Sequence, residues 1–148
     1  MKRFHVHIAV KELNDSINFY SQLFNTEPTV QKEDYAKWEL DDPAVNFAIS
    51  TRSSRTGLDH VGIQTDSEVE LAELRQQIEA AGISGIAQEN TTCCYTRSDK
   101  YWVQDPQGIA WETFHSLESV PVFSDDRAGE SGAACCTPEL PVIDSGCC

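Results

Sequence analysis

A chain of 148 residues with 24 acidic and 11 basic side chains carries a formal net charge of −13, which argues against nucleic acid or an anionic membrane surface as partner. Hydrophobic residues make up 40%, enough for the core of one domain with or without a tail, and the apolar runs are too short to span a bilayer. Met1-Lys2-Arg3-Phe4-His5 is basic but no long apolar stretch follows it, so no signal peptide is expected. Six cysteines without a secretion signal point to a reducing cytoplasm in which thiols stay free.

In chain order, His5-Val6-His7-Ile8 reads as a short β run. A helix is expected over about 14–24, capped by Asn14 or Asp15, with Ile17, Tyr20, Leu23 and Phe24 as its inward stripe and Phe19 beside it. Strands are expected over 29–32, 35–40 and 45–50, with Asp41-Asp42-Pro43 as a turn. The pattern then recurs. His60-Val61-Gly62-Ile63 precedes a helix over about 66–81 that turns Leu71, Leu74, Ile78 and Ala81 inward and stops at Gly82. Strands over 83–88, 100–104 and 109–115 follow, with Asp105-Pro106-Gln107-Gly108 as a turn. Residues 91–100 read as a polar loop. Each half is therefore β-α-β-β-β, an α+β pattern whose halves, unable to close a core alone, pack against each other. The expected domain is 1–117, with modules of about 1–55 and 56–117, and 118–148 reads as a flexible acidic tail.

The cysteines come as three vicinal pairs, Cys93-Cys94, Cys135-Cys136 and Cys147-Cys148. A disulfide framework spaces its cysteines to close loops, and adjacent residues join only with strain in the intervening peptide. Two neighbouring thiolates suit instead the capture of one soft, thiophilic atom. Arg97 and Lys100 would favour thiolate at Cys93 and Cys94 if they lie close in space.

His5 and His60 occupy equivalent places in the repeats, so paired modules can aim both imidazoles into one cavity. Glu112, in the apolar strand that holds Trp111 and Phe114, is costly to bury unless it is paired or ligates a metal. Two histidines and a carboxylate with open positions are the ligand set of non-haem Fe(II) oxygenases. His7 shares the face of His5 by period-two alternation and is an alternative first ligand or a supporting residue. His115 is assigned to packing.

Residues 5 to 20, His-Val-His-Ile-Ala-Val-Lys-Glu-Leu-Asn-Asp-Ser-Ile-Asn-Phe-Tyr, resemble the opening of the vicinal oxygen chelate superfamily, which includes glyoxalase I, bleomycin-resistance proteins and extradiol dioxygenases. Leu58-Asp59-His60-Val61-Gly62 resembles its second-module histidine, and Asp105-Pro106-Gln107-Gly108-Ile109-Ala110-Trp111-Glu112 its terminal glutamate ligand. The resemblance covers about residues 3 to 116 and implies two βαβββ modules in a cup-shaped, incompletely closed barrel. Glyoxalase I carries a further glutamate at the end of the first module. Val45-Asn46-Phe47-Ala48-Ile49 has none, which argues for three protein ligands and open sites.

Thr91-Thr92-Cys93-Cys94-Tyr95 followed by Asp99-Lys100-Tyr101-Trp102-Val103, with a cysteine-pair tail, resembles the arsenic-inducible organoarsenical C–As lyases and their cadmium-induced relatives. That resemblance implies capture of a trivalent organoarsenical by Cys93 and Cys94, with Fe(II) held by His5, His60 and Glu112. Dioxygen then serves to cleave the carbon–arsenic bond to arsenite, and one chain suffices for one site. Cys135, Cys136, Cys147 and Cys148 are candidate accessory scavengers. The rival expectation is a non-catalytic thiol module that sequesters arsenite, cadmium or antimony.

Overall fold

Repetition of one βαβββ pattern determines the architecture. The structure, a computed structural model, describes residues 1–122, 137, 138 and 140. The first module comprises β1 (Arg3–Ala9), α1 (Leu13–Phe24), β2 (Val30–Gln31), β3 (Tyr35–Asp41) and β4 (Ala44–Ser50). The second comprises β5 (Gly57–Thr65), α2 (Glu68–Ala80), β6 (Ile86–Cys93), β7 (Thr96–Gln104) and β8 (Ala110–Ser119). The eight strands form one mixed sheet in the order β2-β3-β4-β1-β5-β8-β7-β6, a half-closed barrel in which each module supplies four neighbours. Antiparallel pairing of β1 with β5 joins the modules, while β1–β4 and β5–β8 are parallel.

In the first module the strand period of two separates two faces. Val6, Ile8, Phe47 and Ile49 pack with Trp38 against Leu13, Ile17, Tyr20 and Phe24 of α1. The alternate residues His5, His7, Asn46, Ala48 and Ser50 are buried too. One face makes the helix-covered core, and the other lines the concave side where a site can form.

Several local expectations need correction. Glu12, not Asn14 or Asp15, caps α1, and its carbonyl accepts from both the backbone N–H and the Oγ–H of Ser16. Leu23 is 62% exposed. The packed stripe runs through Leu13, Ile17, Tyr20 and Phe24, whose spacing at 100° per residue leaves Leu23 outside it. α2 begins at Glu68, with Ser67 Oγ accepting from Glu70 N–H as in one half of a capping box, and the Glu70 carboxylate accepting from Asp66 N–H just before the cap. Ala81 is exposed.

The largest correction concerns residues 91–100. They form the end of β6 and the start of β7, not a loop, and Thr92, Cys93, Ser98 and Lys100 are buried. Polar composition misled here because the strands line a polar cavity instead of an apolar core.

Candidate metal centre and cysteine pair

The pairing of β1, β5 and β8 assembles the first half of the site. His5 pairs with Gly62, Val6 with Val61, and His7 with His60. His5 and His60 therefore lie diagonally across the Val6–Val61 pair, on one face. Gly62 pairs with Glu112 on the parallel side. A β carbon at Gly62 would lie 1.8 Å from the Glu112 carbonyl oxygen, so glycine is what admits β8 at this distance. By the pseudo-twofold through Val6 and Val61, Ala48, the partner of His7, is the first-module counterpart of Glu112.

Three ligand atoms converge. His5 Nε2 and His60 Nε2 are 3.1 Å apart, and Glu112 Oε2 lies 3.7 Å from the first and 3.5 Å from the second. All three residues are buried. The His5 Nδ1–H donates to the Asn46 carbonyl at 3.0 Å, and the His60 Nδ1–H donates to Asp59 Oδ1 at 2.7 Å. Both acceptors lack protons, so they set the tautomers and leave both Nε2 lone pairs facing each other and the carboxylate. Three lone-pair donors at such separations need a proton or a cation among them. A point equidistant from the three atoms lies about 2.0 Å from each, within the ~2.0–2.2 Å range of metal–nitrogen and metal–oxygen bonds. The donor set fits a divalent metal.

Asp59 was not anticipated as a functional residue, although it stands directly before His60. Strand neighbours normally point to opposite faces. The register between β1 and β5 slips between His7 and Ile8, so that His7 pairs with His60 but Ile8 with Leu58. This irregularity at Asp59 turns its carboxylate onto the adjacent imidazole, the re-aiming that bulges provide beside active sites. Asp59→Asn should lower metal affinity about 10–100-fold, as loss of such supporting partners does. A competition titration with a chelator checks it, and an affinity within threefold of wild type would remove Asp59 from the site.

Burial, then the charge of His60, lowers the pKa of His5 to about 4, and burial, again with His60, lowers that of His7 to about 3. Burial opposes charge on His60 and Glu112 as well. It is outweighed at His60 by Asp59 and Glu112, which raise its pKa, and at Glu112 by Lys100 and His60, which hold its carboxyl well below the usual range.

These directions set a sign for acid stability in the metal-free protein. Between about pH 6.5 and 4 the unfolded chain protonates His5 and His7 while the folded chain does not, so stability falls with pH, by up to about 1.4 kcal/mol per unit for each histidine. His60 has the opposite sign, and its contribution is already complete below its unfolded value. Glu112 contributes fully above its own. The urea midpoint of metal-free protein should therefore drop from pH 6.5 to pH 5, and a flat or rising midpoint would contradict the burial of neutral His5 and His7.

His7 Nε2 lies 2.9 Å from Ser50 Oγ, and its buried Nδ1 has no hydrogen-bond partner among the described residues. His5, His7 and His60 can also bring three nitrogens within 4.8 Å of one another. The Nε2 of His5 lies within 4 Å of both His60 Nε2 and Glu112 Oε2.

The second half of the site is the β6–β7 hairpin. Cys93 pairs with Thr96, so Cys94 and Tyr95 form a two-residue connection with φ of 55° and 61°. That is type I′ geometry, normally built from Asn-Gly. Two side chains with β carbons held in the left-handed region cost roughly 1–3 kcal/mol each, and such strain concentrates at functional sites. The turn places the two sulfurs 3.3 Å apart. This is beyond an S–S bond but close enough for one atom bonded to both at about 2.3 Å, the length of a metal–thiolate bond. Capture through both sulfurs requires both in reduced form. Cys135, Cys136, Cys147 and Cys148 lie outside the described residues.

The hairpin tip belongs to the second module but docks on the first. The Tyr95 hydroxyl donates to Asp34 at 2.5 Å, its ring packs 5.8 Å from that of Tyr35, and Lys32 lies over it. One cavity of about 30 Å³ is consequently lined by Cys93 and Cys94 together with His5, His60 and Glu112. Trp102 stands edge-on to His60 and Phe114 to His5, at 5.2 and 5.1 Å. Of the two cations near the cysteines in sequence, Arg97 meets Glu118 at 2.7 Å and Lys100, which lines the same cavity, meets Glu112 at 2.5 Å.

Comparisons with known proteins agree with this architecture. A family model for the Glyoxalase/Bleomycin resistance protein/Dioxygenase superfamily matches residues 2–113. The chain is 35% identical to the "Probable trivalent organoarsenical cleaving enzyme" of Bacillus subtilis (strain 168), over the full length of both. It is 38% identical to the "Trivalent organoarsenical cleaving enzyme" of Bacillus sp. (strain MD1), covering all of this chain and 91% of that one. The solved 2,3-dioxygenase LapB of Pseudomonas sp. KL28 shares the fold, with a TM-score of 0.61 and 18% identity over 80% of this chain and 42% of its own. Two βαβββ modules joined edge to edge, and this match over most of their length, place the chain in the Glyoxalase/Bleomycin resistance protein/Dioxygenase superfamily.

Proposed function

We propose that the protein is a cytoplasmic Fe(II)- and dioxygen-dependent C–As lyase that converts trivalent organoarsenicals, methylarsenite among them, to inorganic arsenite. The observation that carries this reading is the single cavity lined by both the cysteine pair and the His5–His60–Glu112 cluster. The names of the full-length relatives support the substrate class.

Reduced Cys93 and Cys94 take the two exchangeable valences of a monosubstituted arsenical, with loss of two waters, and its organic group is left to project into the cavity. His5, His60 and Glu112 hold the metal, and Asn46 and Asp59 hold the two imidazoles in the ligating tautomer. Fe(II) bound there supplies the redox chemistry by which dioxygen cleaves the bond. Trp102 packs edge-on against His60 and Phe114 against His5, which holds both imidazoles in place, so the protein's own contribution is placement.

Anaerobic loading with Fe(II), then methylarsenite under reductant with and without oxygen, followed by arsenic speciation, tests the reading. Arsenite should appear only with oxygen. Arsenite formed equally without oxygen would sink it, and methylarsenite that binds but stays unconverted would favour thiol sequestration.

A further inference from the structure

Lys100 is buried on β7 with its side chain 6% exposed, and its ammonium is 2.5 Å from Oε1 of Glu112, itself 4% exposed. Nζ also lies 5.7 Å from the ring centroid of Trp102. The two oxygens of Glu112 thus have divided roles. Oε2 lies 3.7 Å from His5 Nε2 and 3.5 Å from His60 Nε2, while Oε1 accepts from the Lys100 ammonium. A carboxylate beside a metal can give one oxygen or two, and the second occupies a position that substrate or dioxygen would otherwise use. Turning Oε1 to the metal would strip Lys100 of its counter-charge in a buried site, which is strongly unfavourable.

We propose that Lys100 is a positioning residue that reserves Oε1 of Glu112, so that the carboxylate gives the metal one oxygen and leaves the remaining positions to exogenous ligands. The proposal rests on the metal triad described above and not on the arsenical chemistry.

Lys100→Met removes the charge at nearly constant length, and Lys100→Arg restores it. Each variant and the wild type are loaded with Co(II), whose visible spectrum reports coordination number, and separately with Fe(II) for anaerobic titration with nitric oxide. No arsenical is present. The expected result is that Lys100→Met still binds metal but loses at least tenfold in nitric oxide affinity, with an altered Co(II) spectrum, and that Lys100→Arg recovers most of both. Wild-type affinity and spectrum in Lys100→Met would overturn the proposal. So would a folded Lys100→Met that binds no metal, because Lys100 would then be holding the ligand itself in place. If circular dichroism shows Lys100→Met unfolded, Lys100→Gln is read by the same criteria. Wild type that takes up no metal would overturn the triad itself, an outcome distinct from failure of Lys100 alone.

Discussion

Cys93→Ser or Cys94→Ser should abolish organoarsenical turnover under reducing conditions while leaving metal binding intact. A monosubstituted trivalent arsenical presents two exchangeable valences, and the strained turn holds two sulfurs 3.3 Å apart to meet them. Losing one attachment forfeits the effective concentration of the second, on the order of 10²–10⁴ in capture. Serine keeps the size of the side chain and does not alter the turn, so the fold is not expected to suffer. Neither sulfur is needed by the His5–His60–Glu112 cluster, whose contacts are complete without them. The measurements are steady-state turnover at low methylarsenite and metal stoichiometry on the same preparations. Wild-type turnover in either single variant would rule out capture by the pair, and loss of metal would mean that the cysteines belong to the metal site.

Alanine at His5, His60 or Glu112 should remove the metal and the activity together while arsenical binding at Cys93 and Cys94 remains. Each of the three supplies one of the three converging donor atoms, and the triangle they form has no spare vertex. Two donors give a much weaker site, and a chelator at modest concentration should empty it. Glu112→Ala also leaves the Lys100 ammonium buried without a counter-charge, a cost of about 3–5 kcal/mol, so its melting temperature should fall most. His7→Ala should do less harm to metal binding because its nearest described hydrogen-bond partner is Ser50. Metal content and arsenical affinity, measured for all four variants, separate the roles. Full occupancy in His5→Ala with loss in His7→Ala would move the first ligand to His7, and oxygen-dependent turnover in Glu112→Ala would dismiss the carboxylate as a ligand.

The sequence by itself determined what depends on local period and on adjacency. Alternation of two and spacing of 3.6 repeat in the same order twice, which is enough to specify two βαβββ modules, although Leu23 and Ala81, counted on the inward faces of the helices, are exposed. Covalent adjacency makes Cys93 and Cys94 a pair in any fold, and placement of a histidine in each opening strand is visible without coordinates. Tertiary structure alone decided what the pairs face. His5 and His60 are 55 residues apart and meet because β1 and β5 pair antiparallel through Val6 and Val61, a register that no local pattern encodes. A one-residue register slip aims Asp59 at His60, and slips arise from strand pairing across the sheet. Arg97 and Lys100 both follow the cysteines along the chain, yet the β7–β8 register sends Lys100 to Glu112 and Arg97 to Glu118. Residues 91–100 looked like a loop because polar side chains usually mean solvent. Only the half-closed cup, with Tyr95 fastened to the opposite module, makes their surroundings a buried polar cavity, in which charges persist because each is paired.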